Sequence, residues 1–482
     1  MIDSVQITAK DGKTYTAYPL TQAQRLMYFV YNTYSRELAM LNIGTGCYWQ
    51  GDFDEALLRE AIGEARDRCD TMRLRFKPDL KFGLVQFLSE EPLPPVETVD
   101  LSDRTTAEAD GLLEAETRVG TPLEDNALSF VKIVRMPEGR NGFYCKLHHL
   151  AFDGYAAKLF MADVMAIYLS KRGCGPYPKP MKPYLEAMTQ ELEYLNSDRR
   201  KADRAYWMQR FSTESEPIFN DYLLVNRLEK ARRESGDDSQ RYVLMFEGEH
   251  PVSKQLYYEV SAQDTEKVLA MCEQRGLSVP CVLMLGLRTA LSSFNREQPD
   301  VSFKFMINRR GTLLEKKSGG NRWHFYTLRT IVDPSLTFAE AARLVEDEQN
   351  EVFRHCAFDT LEMYHIKHMA MHMDRLEQTY DSMSFSYHAP LEIPFESEEV
   401  KKTARGVWYH NGYSAQNLYL TVKHRLDDNG LEFIFEYRVS EEAAAHDLAV
   451  FYDRLIRTVM LGAEDPDRAI GEILARIEPQ EA

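Results

Sequence analysis

Two adjacent histidines, with an aspartate and a glycine beginning four positions after the second, form the segment of this chain best suited to chemistry: His148-His149-Leu150-Ala151-Phe152-Asp153-Gly154. A neutral imidazole accepts a proton from an attacking amine or alcohol near neutral pH. A carboxylate four residues on can fix the loop, and a glycine lets backbone approach a substrate closely. A lone histidine at a strand end is usually satisfied by local hydrogen bonds. The pair in HHxxxDG spacing, set between a strand and a helix, points instead to a working base.

The flanking sequence supplies that setting. Residues 127–135 and 143–147 read as two strands joined by the turn PEGRNG, and the second runs straight into His148. After Gly154, Leu159, Ala162, Met165 and Tyr168 recur at helical spacing, with Gly173 as the stop. Upstream, Thr21 is the expected N-cap of a helix, residues 53–69 form an amphipathic helix, and Met72–Phe76 reads as a strand. The Gly/Pro-rich stretch 173–184 is the expected hinge, followed by a polar helix to Trp207. Residues 212–250 are charge-rich and read as surface. From 255 the order is strand, helix, helix, strand, ending at 307, with Gly276 closing the first helix. NLYLTVKHRL, LEFIFEYRV and the helix EEAAAHDLAVFYDRLIRTVML follow.

With 482 residues the chain exceeds one ordinary hydrophobic core. We expect an α/β fold in two similar lobes, 1–178 carrying the histidine loop and 179–482. The net charge of −17 argues against nucleic acid as a partner. The basic run Arg199, Arg200, Lys201 and Arg204 reads as a solvated helix face. No apolar run is long enough to span a bilayer, and the start does not read as a signal peptide. Seven scattered cysteines without a CxxC pair suggest reduced thiols in a cytoplasm. His365, His368 and His372 fall at i, i+3 and i+7. No Cys or acidic pattern completes a site there, so no metal is expected. There is no Walker motif, no GxGxxG after a strand and no GxSxG elbow.

The histidine loop resembles the signature of nonribosomal peptide synthetase condensation domains, and further segments agree in order. LTQAQRLMYF at 20–29 is similar to the family's first motif through Gln24, Arg25 and Tyr28. DRCDTMRLRF at 67–76 is similar to the second through Arg73 and Phe76, while Cys69, Asp70 and Leu74 depart. AYWMQRF at 205–211 and FSYHAP at 385–390 resemble later elements. GGNRWHFYTLR at 319–329 stands for the fifth motif, with Gly320 and Arg329 fitting and His324 in place of an asparagine. Ala389 stands near another expected asparagine.

The resemblance implies a chloramphenicol-acetyltransferase-like fold, two lobes in a V with an active-site tunnel between them. It implies that donor and acceptor carrier proteins dock at opposite mouths and feed phosphopantetheine arms toward His149. The amine on the acceptor then takes the acyl group from the donor thioester. His149 takes the proton or orients the attack, and Gly154 offers its backbone N–H. His148 and Asp153 support the loop, Asp153 pairing with Arg73. Tyr28, His324, Ser386 and His388 are candidate tunnel-lining residues. The domain itself holds no cofactor and is expected to be monomeric, with a downstream adenylation domain as a further candidate partner. The short stretch between Met1 and the first motif suggests a donor arriving in trans, carrier-bound or as acyl-coenzyme A. That suits a starter (N-acylating) or free-standing domain.

Three alternatives share the scaffold. Wax-ester and diacylglycerol synthases carry HHxxxDG and pass acyl groups from coenzyme A to alcohols; the QAQR and Tyr-Trp elements argue against that reading. Epimerisation domains use a glutamate from the opposite lobe, for which no counterpart motif is found. A non-catalytic docking module would be expected to degrade the loop, which is intact here.

Overall fold

The computed structural model describes residues 3–244, 251–373, 375, 377–389, 393–425, 428–438 and 444–477; part of the 212–250 surface stretch, Pro390 of FSYHAP and the start of the last long helix read from sequence lie outside these. In the first half, helix α1 (Gln22–Thr33) precedes strand β1 (Asn42–Trp49) and helix α2 (Glu55–Asp67). Strands β2 (Glu97–Asp100), β3 (Ser129–Arg135) and β4 (Asn141–His148) lead into helix α3 (Gly154–Lys171), and α4 (Tyr184–Tyr194) follows. In the second half come β5 (Ser253–Val260), α5 (Ala262–Arg275), α6 (Val279–Phe294), β6 (Asp300–Asn308) and β7 (Trp323–Ile331). Then follow α7 (Thr360–Ala370), β8 (Ser384–His388), β9 (Arg405–Tyr409), β10 (Leu418–His424), β11 (Leu431–Arg438) and α8 (Ala444–Glu464).

Local chemistry accounts for the element ends. Thr21 caps α1, and Gln24 returns its side chain to the Thr21 N–H, a complete capping box. Gly276 closes α5 in the left-handed region at φ 60°. The polar run toward Trp207 is two helices rather than one, because Ser197 caps a new helix, Asp198–Thr213, by accepting from the Arg200 N–H. On that helix Arg200 and Arg204 both reach Glu362, so half of the basic run is ion-paired to α7.

Two sheets carry the architecture. The first runs β9-β1-β4-β3-β2 and the second β5-β11-β10-β8-β6-β7. Each has its own apolar core. Leu58, Ile62, Phe143, Phe160, Val164 and Ile167 lie in the first; Val282, Leu285, Phe303, Leu328, Phe433 and Phe451 lie in the second. The cores do not divide the sequence at 178/179. Tyr184, Met188 and Leu192 of α4 are buried in the first core, because the apolar stripe of α4 faces α1 and the turn at Asp70–Arg73 rather than the second sheet. Strand β9 also leaves the second half to pair antiparallel with β1, Trp408 opposite Thr45. Among the described residues no single helix is long and apolar enough to cross a membrane.

Candidate active site

Strand β4 ends at His148, and α3 begins at Gly154, so the histidine loop is a five-residue strand-to-helix connection. Its geometry is set from inside. Asp153 is the N-cap of α3, accepting the Ala156 N–H at 2.8 Å. Gly154 is thus the first residue of an 18-residue helix whose N-terminal end presents its unpaired N–H groups and positive dipole. His148 is fully buried, and its Nδ1 accepts the Leu150 N–H at 3.2 Å. The neutral ring therefore carries its proton on Nε2. Burial, with His149 beside it, pushes its pKa down to about 3.

His149 is anchored by its backbone, whose N–H donates to the Leu41 carbonyl of the first half at 2.7 Å. Its ring meets the edge of Trp323 at 5.8 Å between centroids. Nδ1 is buried without a partner, which leaves Nε2 as the nitrogen open to the cavity that the ring lines. Burial lowers its pKa below 6.5, partly offset by the Asp153 carboxylate. The ring is neutral, and so basic, at neutral pH.

That cavity, of about 790 Å³, lies between the two halves. Met27 and Val30 of α1, Asn42, Ile43 and Thr45 of β1, His149, Gly154, Lys158 and Met161 form one wall. Met306, Trp323, Phe325, His388, Tyr419, Thr421 and Lys423 form the other, and Trp408 of β9 closes a side. A Cβ at Gly154 would lie 3.2 Å from Trp408 Cη2 and 3.5 Å from His388 Cε1, so glycine keeps the helix start open where the walls converge.

The expected Asp153–Arg73 pair is not the one formed. The Asp153 carboxylate is held by Arg310, with Nη1 to Oδ2 at 2.6 Å and Nη2 to Oδ1 at 3.1 Å, and it accepts the Arg322 N–H at 2.9 Å. Burial raises the carboxyl pKa, but Arg310 and these donors outweigh it and hold it below 3.8. The reason is direction: Asp153 points into the second half. Arg73 ends the short turn Asp70–Arg73 and has its charge beside Asp70. The neighbouring arginines follow Arg310 across the boundary. Arg309 donates to Gln22 at 2.6 Å and Arg322 to the Ala187 carbonyl at 3.0 Å. In return Arg25 of α1 binds Asp359 at 2.7 Å. Gln22 and Arg25 of the first motif therefore join the halves.

Of the four candidate lining residues, only His388 lines the cavity. Burial and the nearby Lys158 and Lys423 ammonium groups push its pKa down to about 3. Tyr28 stacks on Tyr31 at 6.3 Å, outside the wall formed by its neighbours Met27 and Val30. Ser386 is buried beside Tyr419, which takes the lining position. His324 faces the opposite side of β7, its Nδ1 2.9 Å from Thr360 Oγ1. Side chains alternate along a strand, so Trp323 and Phe325 face the cavity while His324 and Tyr326 do not. That alternation was readable from the sequence, and it identifies two wall residues that the motif comparison passes over. The three-histidine face does not form either. Helix α7 ends at Ala370, His365 is exposed and His368 buried, and His372 sits beyond the end at φ 54°.

Known proteins share the sequence family and the fold. Surfactin synthase subunit 1 of Bacillus subtilis (strain 168) is 24% identical over 471 residues, covering 95% of this chain and 12% of that protein. Bacitracin synthase 3 of Bacillus licheniformis is 22% identical over 310 residues, covering 62% of this chain and 4% of that protein. The chain thus spans only a small part of the length of these relatives. The first condensation domain of the calcium-dependent antibiotic synthetase, in complex with a substrate analogue, superposes with a TM-score of 0.75 at 19% identity. That match covers 95% of this chain and 98% of the other. A variant of the starter condensation domain of rhizomide synthetase RzmA, in complex with C8-CoA, does so at 0.73 and 18% identity, covering 94% and 96%. Residues 14–478 match the condensation-domain family, and the chain belongs to it.

Proposed function

We propose that this condensation domain forms an amide bond by moving an acyl group from a donor thioester to the amine of an aminoacyl group tethered to a carrier protein. The observation that carries the reading is that the open nitrogen of His149 and the start of α3 at Gly154 share one cavity built from both halves. The amine nitrogen attacks the thioester carbonyl carbon, the C–N bond forms and the C–S bond breaks. The thiol leaves with a proton. His149 Nε2 accepts the proton from nitrogen, and the Gly154 N–H faces the oxygen on which negative charge develops. Much of the acceleration comes from holding two tethered groups together. Asp153, with Arg310, positions the loop, and His148 supports it. Donor and acceptor phosphopantetheine arms enter from opposite mouths, the domain acts as a monomer, and an adenylation domain supplies the loaded acceptor. The donor is carrier-bound or an acyl-coenzyme A, the second as in a starter domain.

Intact-protein mass spectrometry tests this. An acyl donor, supplied in both forms, is mixed with an aminoacyl-loaded carrier protein, and the acceptor is expected to gain the acyl mass. Transfer to an alcohol alone would replace the reading with an ester synthase, and carrier binding without transfer would replace it with a docking module. The pH profile of single-turnover transfer gives a second check. Because burial lowers the His149 pKa, the neutral ring persists to lower pH, and the rate is expected to fall only below about pH 6.5. An acid limb centred above pH 7 would contradict His149 as the base.

A further inference from the structure

Lys158 lies one helical turn beyond Gly154 on the same face of α3, about 6 Å further along the axis, and lines the cavity. The other cations of the wall are spoken for. Arg405 holds Asp110 at 3.0 Å, Lys423 holds Glu432 at 2.6 Å, Arg425 holds Glu259 at 2.8 Å and Arg140 holds Glu138 at 2.6 Å. Lys402 is exposed at the rim. Among the described residues Lys158 has no carboxylate partner, and the charge nearest in effect is the Lys423 ammonium, which opposes it. The side chains facing it from β8 and β10 are His388 and His424, whose pKa values burial and the Lys158 charge hold below 6.5. Neither brings a negative charge. The remaining lining carboxylates are engaged elsewhere: Glu114 with Arg118, and Glu436 with Gln255 at 3.1 Å.

We infer that Lys158 is an anion-recognition residue, selecting a carboxylate carried by the acyl donor or by the acceptor amino acid. This rests on the condensation reading above. An ammonium group kept half-buried without a counter-ion is costly, and a ligand carboxylate placed against it recovers that cost as a charge-assisted hydrogen bond. The position decides between carboxylate and phosphate. Lys158 sits one turn from the Gly154 N–H, whereas the phosphate of a pantetheine arm lies a full arm's length from its thioester. A carboxylate three or four bonds from the reacting atom fits, the carbonyl carbon of a dicarboxylic monoacyl donor or the amine nitrogen of an acidic aminoacyl acceptor.

The test uses pairs differing only in carboxylate against amide: glutaryl and 4-carbamoylbutanoyl pantetheine for the donor arm, glutamyl and glutaminyl pantetheine for the acceptor arm. Binding is measured by calorimetry on the full chain carrying His149→Ala, one probe at a time so that no acyl transfer can occur. In one arm the carboxylate probe is expected to bind about ten- to a hundredfold more tightly than its amide, as one charged hydrogen bond implies. Adding Lys158→Met is expected to bring that ratio to about one, and Lys158→Arg to retain it. Equal binding of both probes in both arms, or a preference that Lys158→Met leaves intact, overturns the inference. If wild type transfers no acyl group while the carboxylate preference stands, the amide-forming reading fails and the anion site does not.

Discussion

Arg310→Met is expected to destabilise the domain by about 3–5 kcal/mol, the range for removing one partner of a buried ion pair. Both side chains are almost wholly excluded from solvent, at 1% and 2%. The substitution leaves the buried Asp153 carboxylate with only the Ala156 and Arg322 backbone donors. Burial then dominates its titration, and it takes up a proton at a higher pH than in wild type. The sign in wild type is opposite. A carboxyl held below its unfolded value of 3.8 contributes stability that is present above that pH and is lost as pH falls through the folded value. Urea denaturation at pH 7 and pH 5 reads both effects. Adding Asp153→Asn is expected to restore part of the loss, because it removes the stranded charge. Arg310→Lys is expected to fall between wild type and Met, since it keeps the charge and loses the two-pronged fork. A midpoint unchanged to within about 0.5 kcal/mol for Arg310→Met would show that the pair does not hold the loop.

His149→Ala is expected to lower single-turnover transfer by about 10²–10⁴-fold, the contribution of a positioned base. Stability should be nearly unaffected, because the ring makes no side-chain hydrogen bond and its Nδ1 is already buried without one. The loop stays anchored through the His149 backbone N–H to Leu41, which alanine keeps. The comparison is made with equal loading of donor and acceptor and with the urea midpoint measured in parallel. A tenfold or smaller loss in rate would remove His149 as the base and leave the acceleration to proximity and the Gly154 N–H.

How much of this was legible in the sequence follows the range of the interactions. The β4–loop–α3 unit, the Thr21 cap, the Gly276 stop and the strand–helix–helix–strand start of the second half are written in neighbouring residues, and they appear in the structure. So are His149 and Gly154, which the fold delivers to one cavity, and His148, which it buries behind them. Arg310 was not legible. It lies 157 positions from Asp153, and no local pattern distinguishes it from Arg309 or Arg73 as a partner. Trp408 was missed for a related reason. RGVWY is short, and only its pairing with β1 places the indole over Gly154. Nothing local singles out Lys158 within its helix, because its lack of a counter-ion is a property of the opposite wall.

The pairing of β9 with β1 also bears on how the chain reaches this state. Thr45 hydrogen-bonds to the Val407 carbonyl across 362 positions of sequence. During synthesis the first sheet therefore waits with β1 as an open edge while the whole intervening chain emerges, and only then acquires its last strand. Loop closure of that span makes the step late and slow, and an unpaired edge is a template for another chain. Fragments ending before Arg405 should aggregate through β1, and a cut of this domain anywhere ahead of β9 would separate the first sheet from a strand of its own.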